Sequence, residues 1–147
     1  KRVQLVDRLL ASASFPRHQA DQFDALLMSG TNANLREYLT EAFKENRPWN
    51  QMFREMLLGR EDDPTQKGAI QFTRSRAKDL DKLASDVSTL FFGVNISCAQ
   101  CHDHPLVADW TQEHFYGMKS FFARTYEQHL VNARRYQRAL NERGIYR

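Results

Sequence analysis

The chain has 147 residues, which is long enough for one sizeable hydrophobic core. Its residues are 41% hydrophobic and 27% charged, a composition typical of folded rather than disordered proteins. Its formal charge of +3 is modest, and the sequence has no basic patch interleaved with aromatic residues, so we expect no binding to nucleic acid. No apolar run approaches the roughly 18 residues that a transmembrane helix needs, so we expect no membrane span.

Apolar residues recur at helical spacing through the first part of the chain. This pattern predicts four helices, over residues 3–10, 18–28, 33–46 and 47–59. Asn34, followed by Glu37 three residues later, predicts the N-cap and capping-box partner of the third helix. Pro48 and Gly59 mark the two ends of the fourth helix.

The remaining elements follow from the same pattern. Residues 60–76 lack a period and contain proline and glycine, so we expect them to form the longest loop. Helical spacing returns over residues 79–92 and stops at Gly93, and Thr111 predicts the cap of a further helix. The polar, arginine-rich residues 126–147 predict a terminal or linker helix. Because no strand pattern of useful length occurs, the predicted fold class is all-α.

Both cysteines of the chain lie in the segment NISCAQCHDHPLVADW. Cys98, Cys101 and His102 spell Cys-x-x-Cys-His, the attachment motif of c-type haem. Residues three apart share a face of a helix, so both thiols can add to the two vinyl groups along one porphyrin edge. The imidazole of His102 then reaches the iron as its proximal ligand. The motif predicts one haem c per chain.

Three other interpretations of the cysteines are open. A thioredoxin-like redox pair also uses Cys-x-x-Cys, but it belongs to a βαβ context, and no strand is predicted. A structural zinc ion could take Cys98 and Cys101 with His102 or His104, although a fourth ligand would have to come from a distant histidine. A disulfide between cysteines three apart in a helix would be strained. We favour haem, with His104 as a surface or neighbouring group.

Other side chains near the motif are candidates for the rest of a haem site. Phe91 and Phe115 are expected to supply apolar contacts to the ring, which would exclude water and raise the reduction potential. Met118 is the candidate for the distal iron ligand, although methionine also serves as an ordinary core residue. His114 is a weaker distal candidate. No catalytic residue is predicted.

Residues 89–125 resemble the C-terminal part of the planctomycete-type cytochrome c domain, also called domain of unknown function 1549. In that family a phrase close to FLGV-x-I-x-CAQCHDHP precedes a W-T-Q-x-x-F/Y segment, and this chain reads FFGVNISCAQCHDHP and then WTQEHF. The segments VDRLLAS and LREYLTEAFKENRPWNQMFREMLLG extend the resemblance over most of residues 3–125. The chain departs from the family where Gln22 and Phe23 replace a His-Trp pair. The resemblance implies an exported bacterial protein, often large and multidomain.

A covalently held haem on a small helical domain most often carries electrons, because the thioethers keep it in place through redox cycles. We therefore expect residues 1–147 to form a single helical haem c domain, part of a larger exported protein. It would exchange electrons with a partner protein or an adjacent domain rather than catalyse a reaction. The alternatives are an open-site haem that binds or activates a small ligand, and a zinc-stapled interaction module. Haem attachment to this motif occurs outside the bacterial cytoplasm, so we expect a periplasmic or otherwise exported location.

Overall fold

A computed structural model describes residues 1–60, 62–122, 135, 138, 141 and 142. In these residues the chain forms α-helices and short 3₁₀ helices and no β-strand, which confirms the all-α prediction. The chain divides into two compact units, Lys1–Ser75 and Arg76–Arg147. None of the helices in the described ranges is long and apolar enough to cross a membrane.

The first unit contains the four predicted helices. They are α1 (Arg2–Leu10), α2 (Phe15–Leu27), α3 (Arg36–Lys44) and α4 (Trp49–Leu58). Helix α2 packs on α3, and α4 begins after Pro48 and ends at Gly59 as predicted. The core of this unit is made of large side chains that are almost completely buried: Leu27, Leu35, Leu39, Met52, Met56 and Phe72. Helix α1 buries none of its side chains.

The predicted cap of α3 is wrong. Asn34 makes no side-chain cap bond, and the N-cap residue is Leu35, whose amide donates to the Oδ1 atom of Asp24 at 2.6 Å. Asp24 is a buried residue of α2. A second contact joins the two helices, because Arg36 on α3 forms an ion pair with Asp21 on α2 at 2.7 Å. The packing of α2 against α3 therefore supplies the hydrogen-bond acceptor that Asn34 was predicted to supply.

The predicted long loop over residues 60–76 contains two short helices. A 3₁₀ helix covers Pro64–Gln66, and α5 covers Gln71–Arg76. Asp63 begins the first by accepting hydrogen bonds from the amide and hydroxyl of Thr65, at 2.9 and 2.7 Å. Helix α5 is anchored by the fully buried Phe72. Such short helices contain too few turns to show a helical period in the sequence.

A buried carboxylate holds α3 and α4 together. Glu55 on α4 accepts hydrogen bonds from the hydroxyl of Tyr38 at 2.6 Å, the guanidinium of Arg47 at 2.7 Å and the side-chain amide of Gln51 at 2.8 Å. Both members of the Arg47–Glu55 ion pair have side chains less than one-tenth exposed. The charge of Glu55 is thus compensated within the protein interior.

The second unit is built around the cysteine segment. It contains α6 (Leu80–Phe92), a 3₁₀ helix (Ser97–Gln100) and α7 (Gln112–Ser120), and each contacts the other two. The ends of α6 are as the sequence predicts: Asp79 caps its first turn, and Gly93 ends it in a left-handed conformation with φ of 70°. Lys119 on α7 forms an ion pair with Asp81 on α6.

The predicted terminal helix over residues 126–147 lies outside the described residues, apart from four positions. Arg135, Arg138, Asn141 and Glu142 have helical backbone conformation.

Candidate functional site

The cysteines of the motif lie at a 3₁₀ turn. The 3₁₀ helix Ser97–Gln100 contains Cys98, and Cys101 follows directly as its C-cap. A 3₁₀ helix has three residues per turn, so side chains three positions apart lie above one another. Both cysteines are free thiols, and both are exposed. This backbone is compatible with two sulfur atoms that point to the same side.

The backbone ties the motif residues together. The carbonyl of Cys98 accepts hydrogen bonds from the amide of Cys101 and, at 3.5 Å, from the amide of His102. The start of the turn is held by Asn95, whose Oδ1 atom accepts from the amide and hydroxyl of Ser97 at 3.0 and 2.6 Å. Asn95 was not identified from the sequence, although asparagine two residues before serine is a common signal for such a turn.

His102 presents one ring nitrogen for ligation. Its side chain is exposed, and its Nδ1 atom lies 2.7 Å from the carbonyl oxygen of Asp103. A carbonyl oxygen only accepts, so Nδ1 carries the hydrogen, and in the neutral ring the lone pair is on Nε2. Histidines that bind metals usually donate their other N–H group to a carbonyl or carboxylate in this way. His102 therefore has the arrangement of a ligand that uses Nε2.

The neighbouring histidines have the opposite arrangement. The Nδ1 atom of His104 accepts hydrogen bonds from the amides of Leu106 and Val107, at 3.2 and 3.1 Å. The Nδ1 atom of His114 lies 2.9 Å from the hydroxyl of Thr111 and accepts from the amide of the same residue at 3.3 Å, in a capping box at the start of α7. In the neutral rings the hydrogen is then on Nε2. These two histidines organise a loop and a helix end, and Thr111 is the predicted cap.

The buried side of the motif rests on an apolar cluster. Ile96, Ala99 and Phe115 form it, with Val94, Trp110, Tyr116 and Met118 packed against it. The predicted haem contact Phe115 is fully buried in this cluster, and Phe91 is half-buried on α6. Met118 is half-buried against the same cluster. Contact of any of the three with a haem stays a prediction.

Side chains of α7 also contact the backbone of the motif. The side-chain amide of Gln112 donates to the carbonyl of Cys101. The hydroxyl of Tyr116 donates to the carbonyl of Gln100 at 3.1 Å. Sequence reasoning missed both residues, because a glutamine and a tyrosine in an amphipathic helix carry no pattern that indicates a contact with a distant carbonyl.

The loop that follows the motif exposes apolar side chains. Leu106 is 88% exposed and Val107 39% exposed, on the loop that His104 holds. The amide of His104 also donates to the carbonyl of Trp110 at 2.8 Å, which closes the loop. Exposed thiols, an available Nε2 atom and nearby apolar surface fit the requirements of a covalently attached porphyrin.

A metal site formed by protein ligands alone has less support. Within the described ranges, no three histidine, cysteine, aspartate or glutamate side chains converge so that they could hold a metal ion. The zinc interpretation thus lacks an assembled ligand set in that part of the chain.

Comparison with known proteins gives the family but no characterised relative. No curated protein and no solved structure matches the chain. The resemblance of residues 89–125 to a known domain lies inside a longer match. The family model described as PSCyt2, protein of unknown function (DUF1549), matches residues 1–127, and the chain therefore belongs to this family.

Proposed function

We propose that this chain is a c-type cytochrome domain that holds one haem and transfers electrons. Cys98 and Cys101 would form the two thioethers, and His102 the proximal bond to iron. The observation that carries the proposal is the ring orientation of His102, whose Nδ1 atom faces a carbonyl while those of His104 and His114 face amides. Of these three histidines, the one that completes the motif is the one with a free Nε2 lone pair.

The state of the cysteines supports covalent attachment. Each thiol would add across one vinyl group, so that the S–H bond and the π bond of the vinyl group are replaced by an S–C and a C–H bond. Nothing leaves and no oxidant is needed, but both sulfur atoms must be reduced and accessible. Cys98 and Cys101 are both free and exposed. The buried cluster beneath them keeps their backbone in place.

The attached haem would supply an iron that alternates between the ferrous and ferric states. The chain's own residues would set its surroundings: Phe91 and Phe115 as apolar neighbours, and Met118 as the distal ligand. The second unit holds all of these residues. We propose that electrons pass to a partner protein or to an adjacent domain, and that the protein is periplasmic or otherwise exported because the haem is attached there.

The test is an absorption spectrum of the protein produced with cytochrome c maturation machinery, oxidised, reduced with dithionite, and then exposed to carbon monoxide. We expect a Soret band and a sharp reduced α-band that carbon monoxide leaves unchanged. Absence of a Soret band in folded protein would overturn the haem assignment, and metal analysis would then test for zinc. A spectrum that shifts with carbon monoxide would overturn the closed electron-transfer site in favour of a ligand-binding haem.

Variants sharpen this test. Cys98→Ser and Cys101→Ser should each leave the haem attached through one thioether, so that acidified organic solvent still does not extract it. The double variant has no thioether, and its haem should be extracted. His102→Ala should remove the proximal bond and alter the spectrum. His104→Asn is the matched control, because the Oδ1 atom of asparagine can accept from the same two amides as Nδ1 of histidine. It should retain haem with an unchanged spectrum, and a loss as large as that in His102→Ala would contradict the assignment.

A further inference from the structure

The haem-attachment segment ends in carbonyl groups that its own short helix cannot satisfy. The last carbonyls of a helix have no partners within it, and the 3₁₀ helix Ser97–Gln100 ends immediately before Cys101. Two of the carbonyls at this end, those of Gln100 and Cys101, are satisfied from α7. Tyr116 donates to the carbonyl of Gln100, and Gln112 donates to the carbonyl of Cys101.

The two donors lie on one face of α7 and contact consecutive residues of the motif. Gln112 and Tyr116 are four positions apart, so they lie on the same face of the helix. Phe115, which lies beside them, is fully buried against Ile96 and Ala99. One face of α7 therefore contacts the motif in two ways, by apolar packing and by hydrogen bonds to the motif's carbonyl groups.

The hydroxyl of Tyr116 is itself held in place. The guanidinium of Arg135 lies 5.2 Å from the centre of the Tyr116 ring, and its Nη1 atom donates to the Tyr116 hydroxyl at 3.4 Å. The ring also makes an edge-to-face contact with Phe115, with centroids 5.3 Å apart. Because the hydroxyl oxygen accepts from Arg135, its hydrogen is directed to the carbonyl of Gln100.

We propose that Gln112 and Tyr116 are positioning residues for haem attachment. By fixing the peptide planes that follow Gln100 and Cys101, they set the direction of the Cys101 sulfur and the His102 ring relative to Cys98. This inference rests on the proposed function for its purpose, but the two hydrogen bonds of the restraint join protein atoms only. We call the pair the carbonyl brace.

The first test uses haem-free protein and amide hydrogen exchange. Tyr116→Phe removes one oxygen and keeps the ring, and Gln112→Leu removes the donor and keeps similar volume. Each should raise exchange about fivefold at the amides of Cys101 and His102, and the double variant more, since each loses one restraining hydrogen bond. The amide of Ala99, which bonds to Ile96 before the brace, serves as an internal reference and should change less.

The second test uses haem-loaded protein. Relative to wild type, the double variant should show a several-fold lower yield of covalent haem and a shifted reduction potential. Gln4→Leu on the exposed helix α1 is the matched control for a glutamine-to-leucine change and should alter neither. Circular dichroism checks folding, and Tyr116→Phe alone, with its apolar packing intact, remains informative if the double variant is unstable.

The outcomes separate the two proposals. If wild-type protein takes up no haem, the proposed function fails, and the exchange experiment still decides whether the brace restrains the segment. If wild type is loaded but the variants match it in exchange, yield and potential, the carbonyl brace is overturned while the cytochrome assignment stands. Unchanged exchange at Cys101 and His102 in the double variant would by itself overturn the brace.

Discussion

The three histidines near the motif differ in which ring nitrogen carries hydrogen. The difference comes from the backbone group that each Nδ1 atom faces. His102 faces the carbonyl of Asp103, whereas His104 and His114 face amides. The spacing of the motif identifies His102 as a ligand candidate but says nothing about its tautomer, because the tautomer depends on how the following residues turn. The structure adds that Nδ1 of His102 faces a carbonyl, which leaves the lone pair on Nε2 in the neutral ring, as the proposed ligation requires.

This orientation is measurable in the haem-free protein. Long-range proton–nitrogen correlation spectra of the neutral imidazoles should show hydrogen on Nδ1 of His102 and on Nε2 of His104 and His114. A matched pair of variants checks the role of His104: His104→Leu should lower stability by about 0.5–1.5 kcal/mol, and His104→Asn should lower it less. Hydrogen on Nε2 of His102 would contradict the observation that carries the proposed function.

Helix α3 shows how a helix end can depend on a neighbouring helix. The buried carboxylate of Asp24 accepts from the amide of Leu35, whereas Asn34 is exposed and makes no cap bond. Asp24→Ala should therefore destabilise the protein by about 1–3 kcal/mol, because it leaves a buried amide without its acceptor. Asn34→Ala should stay within about 0.5 kcal/mol. Urea unfolding of both variants measures this, and a larger loss for Asn34→Ala would restore the capping box that the sequence predicts.

The elements that could be predicted from the sequence are those defined by nearby residues. Helices α4 and α6 have a clear apolar period and carry Pro48, Gly59 and Gly93 at their ends, so their bounds were predicted to within a residue or two. The contacts that were missed join a side chain to a distant backbone group. Asp24 and Leu35 are 11 positions apart, and Gln100 and Tyr116 are 16 apart. No local pattern contains such a pair, since it exists only once the helices have packed.

Each of the two units encloses an ion pair with a largely buried guanidinium. In the first unit Arg47 pairs with Glu55 at 2.7 Å, and in the second Arg76 pairs with Asp86 at 2.6 Å. Burial by itself raises the pKa of each carboxyl group. The hydrogen bonds that Glu55 accepts from Tyr38, Gln51 and Arg47 outweigh burial, and the net pKa of Glu55 is lowered; bonds from Arg76 and Lys82 lower that of Asp86 in the same way.

The lowered pKa values make the stability of the whole molecule depend on pH in a defined direction. Between the pKa of Glu55 in the folded protein and its ordinary value of 4.5, the unfolded chain binds more protons. The stabilising contribution of ionised Glu55 is therefore complete above about pH 4.5 and is lost as the pH falls through the pKa of Glu55 in the folded protein. Asp86 has the same dependence, with an ordinary pKa of 3.8 in the unfolded chain.

Glu55→Gln isolates one part of this dependence. The free energy of unfolding at pH 7 should fall by about 1–3 kcal/mol, since Arg47 loses its charged partner. The loss is limited to this range because glutamine keeps an acceptor and Arg47 keeps its ion pair with Glu45. The variant should also flatten the decline in stability below pH 4.5, since the group that titrates is gone. Urea unfolding from pH 7 to pH 3 measures both effects, with the exposed Glu41→Gln as control. If Glu55→Gln loses stability with acid as steeply as wild type, the ionised form of Glu55 is not what the buried cluster stabilises.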